Sequence, residues 1–166
     1  MKINTKSLLQ YKRINIVGSP GSGKSTLSSR LSELLNIEMF DLDDYLYDNN
    51  CNRLNSNSTS QAINELLSNE YFIIDGTYTT TFQDRLNKLD LVILTNRNTI
   101  NNIITFTIRY FTKKNLKCGE RFTLKTSFLL FKFNAKVKPS IIKSSLEAGV
   151  KMAIYNRKND ELQWLN

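Results

Sequence analysis

Residues 18–26 read Gly-Ser-Pro-Gly-Ser-Gly-Lys-Ser-Thr, matching the phosphate-cradling spacing G-x-x-x-x-G-K-[ST]. Phosphate oxygens held this way meet several backbone N–H groups aimed into one concavity, and glycines allow the dihedrals and close approach it demands. Gly18, Ser19, Gly21, Ser22, Gly23, Lys24, Ser25 and Thr26 are therefore the candidate contacts of a nucleotide's phosphates. Lys24 suits a bridge between the β- and γ-phosphates, and the Ser25 hydroxyl suits Mg²⁺ ligation. Three of the chain's six glycines fall in this short stretch. The ligand implied is a nucleoside triphosphate.

Phosphoryl transfer further needs a metal site, cations on the migrating group and a positioned acceptor. Asp41, Asp43 and Asp44 follow an apolar run, and Asp41 and Asp43 share a face for as long as an extended strand continues. One of them is suited to orient a metal-bound water or to take a proton from an acceptor hydroxyl. Asp44 reads as a solvated turn residue. Asp75 follows Tyr-Phe-Ile-Ile, an arrangement that sets a strand-terminal carboxylate beside the phosphate loop to hold the Mg²⁺ shell. Arg97, Arg109, Arg121 and Arg157 supply candidate cations for the γ-phosphate.

The elements that must position these groups alternate. Ile14 to Val17 predict a buried strand, and Leu27, Leu31, Leu34 and Leu35 recur at helical spacing until Asn36. Ile37 to Phe40 predict a second strand, followed by a polar loop at 48–60. Ser58 and Gln61 are spaced as a capping box for a helix carrying Ile63, Leu66 and Leu67. Tyr71 to Ile74 form a third strand, a brief helix covers about 80–88, and Leu91 to Leu94 form a fourth. A long helix is expected from about Asn98 to Lys113, then a basic lid loop at about 112–121. Helical pattern resumes near Thr126, with Pro139 expected to break or kink it and Gly149 to end it. Met152 to Tyr155 are the fifth strand, and Leu162, Trp164 and Leu165 are assigned to a terminal helix. Strands alternating with helices predict an α/β fold with a parallel sheet, helices on both faces, and ligands at the strands' C-terminal ends.

At 166 residues one domain is expected, with residues 1–11 as an N-terminal extension. No apolar stretch reaches membrane-span length, and no membrane partner is expected. The chain has no histidine, and Cys51 and Cys118 stand far apart, which disfavours zinc sites and histidine-based catalysis. A reduced, cytoplasmic setting is the expectation. Residues 97–158 hold fourteen Lys or Arg against only Glu120 and Glu147. That basic half fits nucleotide phosphates; a nucleic-acid partner is possible on charge but less favoured than coding bias.

Several nucleotide-binding classes drop out. Thr95-Asn96-Arg97-Asn98 stands where a GTPase needs N-K-x-D, and the signature of transport ATPases is missing. A small phosphotransferase remains. From residue 13 onward the chain resembles the adenylate-kinase-like P-loop proteins known as bacterial DNA topology modulation proteins. The likeness rests on residues 18–26, Leu42-Asp43, Ile73-Ile-Asp-Gly-Thr-Tyr78 with Arg85 downstream, Arg97, Lys138-Pro139 and Tyr155-Asn-Arg157. It implies a nucleoside-monophosphate-kinase-type fold, five parallel strands in the order 2-3-1-4-5 with a lid, and ATP with Mg²⁺ as donor pair. Asp43, Tyr78 and Arg85 would then face a small-molecule, nucleoside- or nucleotide-like acceptor, and Arg157 the base. The lid helix departs from that family: Asn101, Asn102, Thr105 and Thr107 take places usually rich in arginine, leaving Arg109.

Overall fold

The computed structural model describes residues 3, 5–48, 52, 54–112 and 132–165, without the side chains of Phe106, Arg109 and Tyr110. The apolar runs pair as β1 (Arg13–Val17), β2 (Met39–Asp41), β3 (Phe72–Asp75), β4 (Leu91–Asn96), β5 (Lys151–Asn156) and β6 (Glu161–Leu165). They make one sheet in the order β2-β3-β1-β4-β5-β6. The first five strands are parallel, as expected, and β6 is an added antiparallel edge. The helices are α1 (Lys24–Leu35), α2 (Leu42–Leu46), α3 (Ser56–Leu66), α4 (Phe82–Leu86), α5 (Thr99–Thr112) and α6 (Lys138–Glu147).

Alternation along the central strands feeds two apolar layers, as a parallel sheet covered on both faces requires. Ile14, Ile16, Ile73 and Ile93 pack with Leu27 and Leu31 of α1. Val17, Ile74, Val92 and Leu94 pack on the other face with Leu42, Ile63, Phe82 and Ile141. Leu34 turns outward, so the apolar stripe of α1 is narrower than its leucine count suggests. The first residues pack as well: Ile3 and Leu8 are buried in the α1 layer.

Three expectations are corrected. The C-terminus forms β6 rather than a helix, pairing Asn156 with Glu161 and Met152 with Leu165. The segment is too short for a stable helix, whereas the open edge of β5 offers it a ladder. Trp164 stacks on Tyr11 with ring centroids 5.7 Å apart. Second, α3 starts earlier than the capping-box reading: Asn55 is its cap, accepting from the Ser58 N–H at 2.8 Å. The polar loop is correspondingly shorter. Third, the strand does not persist past Asp41, which instead caps α2, so Asp41 and Asp43 do not share a strand face. Pro139 lies in the first turn of α6, and the helical run ahead of it is interrupted by a π-helical stretch, Phe133–Val137, in line with the expected break or kink.

Gly149 follows the end of α6, its N–H donating to the Leu146 carbonyl at 3.0 Å. The lid loop beyond Thr112, Arg121, the start of the helix near Thr126, Cys51 and Cys118 lie outside the described residues. No helix among the described residues is long and apolar enough to cross a membrane.

Candidate active site

β1 ends at Val17 and α1 opens at Lys24, so the glycine loop is suspended between strand and helix with the helix N-terminus facing its concavity. Gly23 precedes the helix at φ 96°, a left-handed conformation that a side chain disfavours. Gly18 is needed for a different reason: a Cβ there would collide with the Thr95 hydroxyl.

Neighbouring elements fasten this loop from three directions. From the segment after β3, the Thr77 hydroxyl donates to the Gly18 carbonyl at 2.8 Å and accepts from the Gly18 N–H at 3.0 Å. From the end of β4, the Thr95 hydroxyl lies 2.6 Å from that of Ser22 and also reaches the Val17 carbonyl at 3.2 Å. From α5, Asn102 Nδ2 donates to Ser19 Oγ at 2.7 Å. Arg97 adds a fourth tie, donating to the Gly21 carbonyl at 3.0 Å and to Thr105 Oγ1 at 2.7 Å. Lys24 Nζ donates to the Ser19 carbonyl at 3.2 Å.

Asp75 closes β3 fully buried, in register with Ile16 of β1 and Asp41 of β2. Ser25 lies exposed in the first turn of α1. A hydroxyl and a carboxylate oxygen form a hard donor set suited to Mg²⁺, which keeps waters and substrate phosphates as its other ligands. The residues present therefore fit the ion.

On the opposite flank, Asp41 Oδ1 accepts from the Asp43 N–H at 3.1 Å, and Asp43 Oδ1 accepts from the Tyr78 hydroxyl at 2.5 Å. Burial, then the bonds to Asp43 and Tyr47, push the Tyr78 phenol far above its usual range. Tyr78 thus stays protonated and donating. Arg85 is fully buried in α4, bonded to Thr81 Oγ1 at 2.5 Å and Asn15 Oδ1 at 3.3 Å. Burial brings its pKa down to about 10, and its Nε has no hydrogen-bond partner among the described residues. Its guanidinium also lies 5.7 Å from the centre of the Phe82 ring.

A cavity of about 290 Å³ borders the other side of the loop, lined by Gly23, Thr26, Arg30, Tyr155, Arg157 and Asp160. Arg157 Nη1 stands 3.0 Å from where a Gly23 Cβ would be. Arg30 grips Asp160 with two bonds of 3.0 and 3.1 Å, and the Tyr155 hydroxyl donates to the same carboxylate at 2.8 Å. Burial, then the neighbouring Arg157, lower the pKa of Arg97.

The sequence-derived groups thus gather at one end of the sheet, with Arg97 and Arg157 against the loop and Asp41, Asp43 and Tyr78 at α2. Arg109 lies in α5, its side chain outside the described set. Sequence reasoning missed Thr77, Thr95, Asn102 and Asp160. Thr95 had a signal, since it follows the apolar run Leu91 to Leu94 as Asp75 follows Tyr71 to Ile74. Asn102 was read only as a missing arginine.

None of the curated proteins compared matches the chain. Among solved structures, shikimate kinase from Acinetobacter baumannii in complex with shikimate superposes with a TM-score of 0.58 at 16% identity, covering 85% of this chain and 84% of that one. Shikimate kinase from Bacteroides thetaiotaomicron gives 0.56 at 16% identity, covering 88% and 86%. These likenesses establish an α/β fold shared with those two structures. A family model described as an AAA domain matches residues 14–102, and the chain belongs to that family, AAA_18.

Proposed function

We propose that this chain is an ATP- and Mg²⁺-dependent phosphotransferase acting on a small nucleoside- or nucleotide-like acceptor. The observation that carries the reading is a pair of consecutive residues. Thr77 grips the first glycine of the phosphate loop while Tyr78 reaches Asp43, so donor and acceptor sides are held by one segment. Lys24 and the loop amides hold the phosphates, and Arg157 flanks the base. Ser25 and Asp75 would hold Mg²⁺, which when bound neutralises charge on the β- and γ-phosphate oxygens. Asp43 receives the acceptor, and Arg97, Arg109 and Arg121 are the candidates for steadying the migrating group. In this geometry Arg97 acts by fixing the Gly21 carbonyl. The reaction is testable as ADP formation from MgATP across nucleosides, nucleoside monophosphates and small hydroxy compounds. Acceptor-dependent turnover lost in Lys24→Ala supports it; full turnover in that variant overturns it.

The basic stretch 97–158 and the resemblance to topology modulation proteins favour a second reading, a nucleotide-switched DNA-associated regulator. Duplex DNA titrated at several salt concentrations discriminates, because phosphate neutralisation gives a steep salt slope. No binding at about 0.15 M salt removes this second reading.

A further inference from the structure

We infer that the group this site phosphorylates is an alcohol hydroxyl, and that the Tyr78 hydroxyl holds its place on Asp43 until the acceptor arrives. The inference rests on the phosphotransferase reading and deepens it. Tyr78 donates an O–H to Asp43 Oδ1 at 2.5 Å, the geometry an acceptor alcohol needs to be oriented and deprotonated. The carboxylate is half-buried in the N-terminal turn of α2, with the Tyr78 hydroxyl as one of its donors. Tyr78 is itself half-buried and its segment is tied at Thr77 to the phosphate loop, which fixes the phenol oxygen relative to the nucleotide's phosphates.

Charge argues in the same direction. A phosphate acceptor set against Asp43 brings like charges together, whereas a neutral hydroxyl gains a charge-assisted bond. Two arginines suited to a phosphate acceptor are committed elsewhere: Arg85 to Asn15 and Thr81 within the core, and Arg97 to Gly21 and Thr105. In the step itself the acceptor oxygen bonds to the γ-phosphorus and its proton passes to Asp43. The bond from that phosphorus to the bridging oxygen breaks, its electron pair leaving with ADP, and Asp43 then releases the proton to solvent. The product is a phosphate monoester.

Acceptor binding replaces one O–H donor on Asp43 by another, so the tyrosine competes with its own substrate. Removing a competing state raises apparent affinity by the reciprocal of the fraction of molecules that were binding-competent before. Calorimetry on the MgADP-loaded protein, titrated with nucleosides, monosaccharides and polyols and separately with nucleoside monophosphates, reads this without requiring turnover. The affinity for MgADP measured alongside reports that each variant is folded. Tyr78→Phe is expected to tighten the best-bound alcohol about three- to tenfold, and Asp43→Asn to weaken it by tenfold or more. Unchanged or weaker alcohol binding in Tyr78→Phe overturns the inference, as does a wild-type protein that binds no alcohol in the panel. ³¹P spectra of the MgATP reaction supply the second arm: a monoester supports it, and a phosphoanhydride product overturns it. Alcohol binding with the Tyr78→Phe gain but no ADP formation would instead sink the phosphotransferase reading and leave the hydroxyl site standing.

Discussion

The two flanks of the site are built in opposite ways. On the donor flank, Thr77, Thr95, Arg97 and Asn102 arrive from separate elements and bond to the phosphate loop itself, at Gly18, Ser22, Gly21 and Ser19. The six hydrogen bonds these residues make here lie between 2.6 and 3.2 Å. On the acceptor flank, Asp43 is met by the hydroxyl of a half-buried tyrosine, a partner that an incoming hydroxyl can replace. A phosphate chain common to all nucleotides rewards a preformed cradle, because ordering costs are met in folding rather than at binding. A specific acceptor rewards a contact that yields to the right group.

The largest effect should come from the donor flank. Lys24→Ala removes the cation placed for the β- and γ-phosphates, and turnover should fall by about 10³-fold or more while circular dichroism shows a folded chain. Asp43→Asn tests the acceptor flank: it keeps the shape but removes the base, and kcat should fall about 10²- to 10⁴-fold with nucleotide affinity little changed. A loss of nucleotide binding instead would mean that the flanks are not separable.

The donor flank was the more legible of the two, for a physical reason. A phosphate-loop motif is a local object, written within residues 18–26, and the strand before it and the helix after it stand where the pattern predicts them. Asp75 was legible likewise, as the polar end of a buried strand. The braces were not, because Thr77, Thr95 and Asn102 are remote in sequence from the glycines they hold, and no periodicity announces such a bond. Asp43 was singled out in a setting the structure corrects: Asp41 capping α2 ends the strand that was to carry both carboxylates. The added β6 escaped notice because a short apolar segment reads alike as helix or strand until an open edge is known.

Asn102→Ala sharpens the contrast. It removes the bond to Ser19 from a residue that is 1% exposed, so MgATP affinity should fall about tenfold, equivalent to roughly 1.4 kcal/mol, with acceptor affinity unaltered. Equal losses on both sides would show that the brace serves the whole fold.

The smallest effect on function is expected away from both flanks, at Asp90. Its carboxylate is raised by burial, but the Arg13 guanidinium and the Lys12 and Arg13 N–H groups outweigh this and lower its pKa overall. Because the folded-state pKa is depressed, the stabilisation is present above the unfolded value of about 3.9 and is lost as pH falls through the folded value. Asp90→Asn should therefore cost about 1–2 kcal/mol in denaturant unfolding at neutral pH, a difference that vanishes in acid. Turnover per folded molecule should be unchanged.

The most direct test follows the γ-phosphoryl group itself. With γ-labelled MgATP and the acceptor panel, the label should appear in an organic phosphate ester at a rate that depends on acceptor and is lost in Lys24→Ala. Label released only as inorganic phosphate, whatever acceptor is present, would contradict a phosphotransferase and leave a nucleotide-hydrolysing binder in its place.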